Sequence, residues 1–247
     1  MNIAAIIQAR MDSTRLPGKV MLPLNGTHVL SHDIQRVADT DQIDEVVVAT
    51  SKKQADDIVK QYADHAGATV FRGSENNVLG RMFGAAQYVD ADVVVRITAD
   101  CPLISPIVID SVVERLKETN ADYSSNIVER TFPRGLDVEA FTFESFNKVY
   151  EQSSDPHHRE HVTPYYHENP DMFDLVSVTS EEVFEDLWMQ DRTDLRLTLD
   201  EADDYELLRT IYENVPYTDL LDIRDAIEYV DENEIHRLNE DVKQKTT

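Results

Sequence analysis

Short runs of aliphatic and β-branched residues alternate, along the first half of the chain, with segments whose apolar residues recur at helical spacing. The apolar runs predict strands at 3–7, 45–50, 69–71 and 92–98. The segments between and after them predict helices at 28–38, 54–66, 78–88 and 106–117. Continuous apolar runs are typical of strands that are buried on both faces. The pattern therefore predicts an α/β fold, with a mostly parallel central sheet and helices on both of its faces.

The second half of the chain has a less regular pattern. It predicts strands at 136–141, 174–178 and 195–199, and helices at 205–213 and 223–233. Asp155 followed by Pro156 favours a helix start, because Asp caps free N–H groups and proline suits the first helical position. This helix is predicted to run to about Glu168, and the last residues, 243–247, are expected to fray. A length of 247 residues suits one large α/β domain, or one domain with an arm.

The excess of acidic residues disfavours the binding of negatively charged partners to this chain. The chain has 48 Asp and Glu against 23 Lys and Arg, a net charge of −25. Such a surface repels nucleic acids and anionic membranes, so neither is an expected partner. The acids are spread through every segment, which indicates a halophilic protein whose self-repulsion is screened by a salty cytosol. The alternative, an acidic interaction protein, predicts clustered charge and a poor core, whereas 41% of the residues are hydrophobic.

Location follows from the same composition. Cys101 is the only cysteine, so no internal disulfide framework is possible, and this favours a reducing compartment. No apolar run reaches transmembrane length, and the N-terminus lacks the basic region of a signal peptide. We therefore expect a cytoplasmic protein.

Basic residues crowd a loop directly after the first predicted strand. Arg10, Arg15 and Lys19 lie there against a single acid, Asp12. Parallel sheets bind ligands at the carboxyl ends of their strands. Cationic side chains and inward-pointing N–H groups in such a loop can hold phosphates. The alternative is a basic surface loop without a ligand.

Two carboxylates follow other apolar runs. Asp100 comes after the strand predicted at 92–98, so it can bind Mg²⁺ beside phosphates held by the basic loop, or it can simply shape a turn. Asp200 follows 195–199 and can act as a second ligand or cap the next helix. The chain has no G-x-G-x-x-G, P-loop or G-x-S-x-G motif. Hydride transfer, P-loop hydrolysis and serine-esterase chemistry therefore lose support.

His157, Glu160 and His161 spell H-x-x-E-H, a zinc motif when it lies on a helix. A third ligand is not evident in the sequence. The alternative is that Arg159 and some of these histidines face an anionic substrate or form a polar interface.

The segment 6–19, IIQARMDSTRLPGK, resembles the signature of cytidylyltransferases that activate acidic sugars, such as acylneuraminate cytidylyltransferase and CMP-Kdo synthetase. It is most similar to the spore coat polysaccharide biosynthesis protein F-like branch. Further similar segments lie at 71–74, 78–81, 98–104, 134–139, 159–165 and 199–205, so the resemblance covers almost the whole chain.

The resemblance implies a Rossmann-like nucleotidyltransferase domain over 1–247, with a dimerisation or substrate arm around 130–180. It implies a homodimer that uses CTP and Mg²⁺ and transfers CMP to a sugar acid, with release of pyrophosphate, for surface polysaccharide or glycan biosynthesis.

The resemblance also implies roles for individual residues. The nucleotide-binding residues are Ala9, Arg10, Ser13, Arg15, Lys19, Arg72 and Arg81. The sugar-binding residues are Arg134, Asp137, Glu139 and Arg159. Asp100 and Asp200 are the metal ligands, and Asp100, Lys19 and Arg15 form the catalytic set. Two departures from the family pattern are Gln8, where many relatives have proline, and Glu201-Ala202, which replaces Thr-Pro.

Two other functions compete with this hypothesis. One is a nucleotidyltransferase or transferase for another sugar on the same fold. Enzymes that act on neutral sugar phosphates usually begin with a glycine-rich loop, and Gln8-Ala9-Arg10 argues against that. The other is a non-catalytic nucleotide-binding protein, against which the presence of both Lys19 and Asp100 argues.

Overall fold

The structure is a computed structural model that describes residues 1–243. Residues 244–247, within the segment expected to fray, lie outside the described residues. The first half contains β1 (Ile3–Gln8), β2 (Pro23–Leu24), β3 (Thr27–His28), α1 (Val29–Ala38), β4 (Glu45–Ser51), α2 (Asp57–His65), β5 (Thr69–Gly73), α3 (Val78–Tyr88), β6 (Val93–Thr98) and α4 (Pro106–Thr119). The second half contains β7 (Tyr123–Ser125), β8 (Glu139–Thr142), α5 (Phe143–Gln152), α6 (Pro156–His161), α7 (Pro164–Glu168), β9 (Leu175–Ser177), α8 (Ser180–Val183), α9 (Ala202–Asn214) and α10 (Ile223–Glu232).

A seven-stranded sheet forms the centre of the described chain, in the order β5-β4-β1-β6-β8-β7-β9. Strands β5, β4, β1 and β6 are parallel, and β8 pairs antiparallel with both β6 and β7. Successive residues of β1 alternate between two buried clusters: Ala5 and Ile7 pack with α1, α4, α9 and α10, whereas Ala4 and Ile6 pack with α3 and α5. The predicted α/β fold, with helices on both faces of the sheet, is confirmed.

The helix predicted from 155 to 168 is wrong in one respect: it is two helices, α6 and α7. Between them Val162 has φ +74°, and the N–H of Thr163 donates to the carbonyl of His161 at 2.9 Å. Pro164 explains the break, because proline has no N–H to donate to a carbonyl of α6 and suits the first position of a new helix, α7. A positive φ is rare for a β-branched residue, so this turn is strained.

The strand predicted at 195–199 is an extended segment with a single parallel bridge, between Arg134 and Arg196. The side chains of Leu195, Leu197 and Leu199 are buried, which explains the apolar pattern. The N–H of Leu199 donates to the carbonyl of Asp100 at 2.8 Å. This bond ties the segment to the end of β6, so residues 100 and 200 lie side by side.

The strand predicted at 136–141 begins only at Glu139. Before it, the amide side chain of Asn126 donates to the carbonyl of Leu136 at 2.7 Å and accepts from the N–H of Val138 at 2.8 Å. A side chain thus takes the hydrogen bonds that a neighbouring strand would make. Residues 130–180, where an arm was expected, contribute β8 and β9 to the central sheet together with α5, α6 and α7.

Among the described residues, no helix has the length and apolar character needed to span a bilayer.

Candidate functional site

A cavity of about 310 Å³ opens at the carboxyl ends of β1 and β6. We call it the first cavity. Its lining residues are Gln8, Arg10, Asp12, Ser13, Thr14, Arg15, Lys19, Val20, Thr98, Ala99, Asp100, Glu160 and Asp200. The structure therefore brings together the basic loop after β1 and both candidate carboxylates.

The basic loop is held in a fixed path by its backbone. Gly18 has φ +73°, and its N–H donates to the carbonyl of Met11 at 2.9 Å, which closes the loop. The N–H of Met11 donates to Asp56 at 2.7 Å, which anchors the loop to the residues after β4. Glycine adopts a positive φ at little cost. A short 3-10 helix, Lys19–Met21, then begins and directs Lys19 into the cavity.

The ammonium group of Lys19 lies between the two carboxylates. Its Nζ is 2.5 Å from Asp100 Oδ2, 2.8 Å from Asp200 Oδ1 and 2.8 Å from the carbonyl of Leu199. Burial alone would lower the pKa of Lys19, but the charges of Asp100 and Asp200 more than offset it and raise this pKa. Lys19 is therefore a permanent cation that joins the ends of two separate segments.

Asp200 is held from several sides. Besides Lys19, it accepts from Arg15 at 2.8 Å and from Arg196 at 2.8 Å. Burial would raise the pKa of Asp200, but Lys19, Arg15 and Arg196 together lower it, so the group is a carboxylate. The N-cap of α9 is Glu201. The alternative in which Asp200 only caps this helix is therefore wrong.

Asp204 is a buried residue that holds Arg196 and the backbone of Asp200 in place. It has 0% exposure and accepts from Arg196 Nε at 2.9 Å, from the N–H of Asp200 at 2.9 Å and from the side chain of Asn239 at 2.9 Å. A buried carboxylate with this many donors is well compensated and rigid. Arg196 and Asp204 thus fix both the backbone and the side chain of Asp200.

Not every residue expected to bind the nucleotide lines the first cavity. Arg10 does, and within residues 1–243 its side chain has no hydrogen bond or ion pair. Ser13 does, and its hydroxyl accepts from the N–H of Leu16 at 3.4 Å. Ala9 is buried beside the cavity, where its N–H donates to the carbonyl of Ala49 at 3.2 Å.

Arg72 and Arg81 are not among the residues that line the first cavity. Arg72 donates to the carbonyls of Ser51 and Lys53 at 2.8 and 2.7 Å, and it pairs with Asp57 at 2.6 Å. Arg81 is 2% exposed and donates to the carbonyl of Ser74 at 2.6 Å. Burial, and then the charge of Arg10, lower the pKa of Arg81 to about 10. In this structure both side chains hold loop backbone, Arg72 at residues 51 and 53 and Arg81 at residue 74.

A second cavity of about 400 Å³ adjoins the first, and Thr98 lines both. Its other lining residues are Arg96, Ile127, Arg130, Arg134, Asp137, Glu139, His157, His161, Thr163, Pro164, His167 and Glu168. Two charged pairs shape its wall. Arg130 donates twice to Asp137, at 2.7 and 2.9 Å, and Glu139 accepts from Arg96 and from the hydroxyl of Tyr123 at 2.7 Å.

In the second cavity, the charge of Glu139 is matched by close partners, whereas that of Arg134 is not. Burial would raise the pKa of Glu139, but Arg96 and the hydroxyls of Thr163 and Tyr123 more than offset it and lower this pKa. Arg134, in contrast, has no side-chain hydrogen bond or ion pair within the described residues. Burial, and then the charge of Arg130, lower its pKa. An incompletely compensated guanidinium is a good binding group for an anion.

The H-x-x-E-H segment divides between the two cavities. Its histidines His157 and His161 line the second cavity with their rings 4.7 Å apart, while Glu160 lines the first. His158 pairs with Glu168 at 2.7 Å. Within residues 1–243, no group of three or more His, Cys, Asp or Glu side chains is arranged to hold a metal ion. Arg159 is exposed and lines neither cavity, so the zinc hypothesis and the Arg159 assignment gain no support from the structure.

Sequence reasoning missed the groups that hold Asp200 in place. Arg196 occupies a polar position in the alternating segment 195–199, a pattern that ordinarily places the side chain in solvent. The acids at 200, 203 and 204 close by are a signal for an ion pair, but they do not identify Asp204 as the buried partner. Asn239 carries no such signal, because its contact depends on how the C-terminal segment folds back.

The chain is similar to known proteins along almost its whole length. A family model described as cytidylyltransferase matches residues 4–238. An uncharacterised protein of Methanocaldococcus jannaschii is 36% identical over 100% of this chain and 98% of its own length. The spore coat polysaccharide biosynthesis protein SpsF of Bacillus subtilis is 32% identical over 86% of this chain and 87% of that protein.

The similarity extends to solved structures. A cytidylyltransferase from Leptospira borgpetersenii superposes with a TM-score of 0.89 at 33% identity, covering 100% of this chain and 99% of that one. The resemblance inferred from the segment 6–19, including its spore-coat branch, is therefore confirmed, as is the nucleotidyltransferase fold. This chain belongs to the cytidylyltransferase family.

Proposed function

We propose that this protein transfers the cytidylyl group of CTP to a hydroxyl of an acidic sugar, with release of pyrophosphate. The CMP-sugar would serve the biosynthesis of a surface polysaccharide or glycan, as the name of the SpsF relative suggests. One observation carries the proposal: Arg10, Arg15 and Lys19 meet Asp100 and Asp200 in one cavity at the carboxyl edge of a parallel sheet. This is the arrangement that a polyphosphate with a divalent cation requires.

The first cavity suits the triphosphate. Arg10 has no protein partner among the described residues, so its guanidinium is available to a phosphate. Arg15 and Lys19 lie deeper and contact the carboxylates. We propose that the nucleotide binds along the loop 9–19, with its phosphates facing these three cations.

The residues present fit a Mg²⁺ ion. Mg²⁺ is usually bound by one or two carboxylates together with substrate phosphates and water, rather than by a complete protein cage. Asp100 and Asp200, which contact the same ammonium group, provide that pair. When bound, the ion would polarise the phosphate oxygens and offset their charge. We propose these two side chains as its ligands.

The second cavity suits the acceptor sugar. Arg134 is its incompletely compensated cation, and a carboxylate can accept two hydrogen bonds from one guanidinium. Arg130 is fixed by Asp137, so it supplies positive charge at a defined position. Asp137, Glu139 and the hydroxyl of Thr163 offer polar groups for sugar hydroxyls. We propose Arg134, rather than the exposed Arg159, as the group that selects an acidic sugar.

Catalysis would then rest on positioning and charge. The sugar hydroxyl oxygen would attack the α-phosphorus as the bond from that phosphorus to the pyrophosphate oxygen breaks, and the hydroxyl proton would pass to water. Thr98 lines both cavities, and we propose that the two substrates meet beside it. Arg15 and Lys19 stabilise the charge that develops on the leaving pyrophosphate. The protein is further proposed to act as a cytoplasmic homodimer.

Pyrophosphate release tests the proposal. Each of CTP, UTP, ATP and GTP is combined with sialic, pseudaminic, legionaminic and Kdo-type acids, with neutral sugar 1-phosphates as the matched acceptors. We expect release with CTP and at least one acid, and none with the sugar phosphates. Release with a sugar phosphate would support the alternative nucleotidyltransferase, and CTP binding without any turnover would support a non-catalytic protein.

A further inference from the structure

The position of Lys19 has a consequence for metal binding. We propose that Lys19 is a resident counter-cation of the Asp100–Asp200 pair, which a divalent metal replaces only when a triphosphate draws the ammonium group away. The inference rests on the proposed function in one respect: it takes these two carboxylates as the metal ligands. It adds that nucleotide and metal binding are coupled through a single side chain.

The contacts of the ammonium group are complete. A lysine ammonium has three N–H donors, and that of Lys19 has three oxygen partners: Asp100 at 2.5 Å, Asp200 at 2.8 Å and the Leu199 carbonyl at 2.8 Å. Its side chain is only 13% exposed. Lys19 is therefore a well-bound internal cation of the free protein, and not a side chain waiting in solvent.

The carboxylate of Asp200 and the backbone at Asp100 do not depend on Lys19 for their position. Arg196 and Asp204 hold Asp200, and the bond from the Leu199 N–H to the Asp100 carbonyl joins the two backbones at 2.8 Å. Lys19 is the long, unbranched member of the group, carried by a short 3-10 helix. Exchange of cations can thus occur by movement of the Lys19 side chain, while the side chain of Asp200 and the backbone of both acids stay in place.

Electrostatics sets the order of events. A divalent ion that contacts both carboxylates while Lys19 stays in place has an ammonium as an immediate neighbour, and the two cations repel strongly at such distances. The triphosphate removes this conflict, because its oxygens offer Lys19 other acceptors and bring further negative charge. Each ligand therefore raises the affinity for the other, and this coupling is reciprocal.

Arg15 provides a matched control. It contacts Asp200 Oδ1 at 2.8 Å, as Lys19 does, and its replacement by methionine also removes one positive charge. Unlike Lys19, it has no contact with Asp100 within the described residues. If metal affinity responds only to the loss of one positive charge, both variants should gain equally. If it responds to removal of the cation that contacts both carboxylates, only Lys19→Met should gain strongly.

The experiment measures Mn²⁺ binding to the nucleotide-free protein, from the electron paramagnetic resonance signal of free Mn²⁺. We expect wild type to bind weakly and Lys19→Met to bind more tightly, on the order of 10-fold or more. Arg15→Met should gain clearly less. The double variant Lys19→Met/Asp100→Asn should lose the gain, which places the bound ion at the carboxylates. Circular dichroism of each variant verifies folding.

Four results would overturn the inference: tight Mn²⁺ binding by the nucleotide-free wild type, no gain in Lys19→Met, an equal gain in Arg15→Met, or a gain that persists in the double variant. No nucleotide or sugar enters this measurement. A failure of the proposed cytidylyl transfer therefore leaves its outcome unchanged, and the two claims fail separately.

Discussion

At the residue scale, the charge of Asp100 matters more to the proposed site than its shape. The residue follows β6 and precedes Pro102, a place where an aspartate often serves simply to form a turn. Its carboxylate, however, points to Lys19 across 81 positions of sequence and shares that lysine with Asp200. A residue that only shapes a turn requires no such partner.

Replacement of Asp100 by Asn separates the two roles. Asparagine keeps the size and the hydrogen-bonding oxygen, so a turn residue would be replaced with little effect. We expect turnover to fall on the order of 10³-fold, because the charge that holds the metal is lost. The melting temperature without nucleotide should change little, since Lys19 keeps Asp200 and the Leu199 carbonyl. Asp12→Asn, in the same cavity, is the control, and full activity of Asp100→Asn would refute the metal site.

At the element scale, the position of Asp200 depends on a close approach between two segments that are not regular strands. Gly135 has φ +103°, and a β-carbon there would lie 2.5 Å from the backbone carbon of Leu197. The carbonyl of Arg134 accepts from the N–H of Leu197 at 2.7 Å across the same contact. A side chain at 135 would push away the segment that leads to Asp200.

Gly135→Ala should therefore destabilise the protein by about 3 kcal/mol or more, and it should also reduce turnover. Gly26→Ala is the matched control, because Gly26 also has a positive φ, +82°, but a β-carbon there would have no atom within 4 Å. It should cost only about 1–2 kcal/mol, with normal turnover. Urea unfolding and initial rates measure both effects. Equal losses in the two variants would show that the contact with Leu197 is unimportant.

Helix α1 provides a pH-dependent element. His32 is 5% exposed, bonds the carbonyl of Leu24 at 3.0 Å and packs on Tyr212. Burial lowers the pKa of His32. The bond to the Leu24 carbonyl acts in the opposite direction, and the positive charge of Arg36 lowers the pKa further. The unfolded chain therefore binds this proton more readily. As pH falls below about 6.5, the free energy of unfolding should fall with it.

His32→Gln should reduce that loss of stability by about 1 kcal/mol between pH 7.5 and 5.5, because glutamine can still donate to Leu24 and does not titrate. Urea unfolding at the two pH values measures the difference. His65→Gln, at an exposed position of α2, should retain the pH dependence of wild type. An unchanged pH dependence in His32→Gln would contradict the assignment.

The sequence predicted the elements that have strong local patterns and missed those that depend on distant partners. The strands β1, β4 and β6 are long apolar runs and were found. Strand β7 has three residues, two of them serine, and is a strand only because β8 and β9 lie beside it. The loop 9–19 and Asp100 were also recognised from local sequence, because each directly follows a long apolar run. The support of Asp200 by Asp204 and Asn239 was invisible, because it joins separate parts of the C-terminal half.

At the scale of the whole molecule, the surface charge predicts a requirement for salt. A net charge of −25 disfavours the compact state through self-repulsion. The Debye length falls from about 10 Å at 0.1 M salt to about 3 Å at 1 M, so screening relieves this repulsion. We expect the melting temperature to rise between about 0.1 M and 1 M KCl or above. A constant melting temperature over that range would contradict the proposed halophilic adaptation.

The central claim is that the first cavity is a CTP site, and the shift in melting temperature on nucleotide binding tests it most directly. A ligand at 100 times its Kd stabilises the native state by about 2.7 kcal/mol, which for a protein of this size is roughly 5–10 °C. With Mg²⁺ present, CTP should produce a shift of this order, ATP and GTP clearly smaller ones, and Lys19→Met should weaken the response to CTP. Equal shifts with all nucleotides, or none with CTP, would contradict the account.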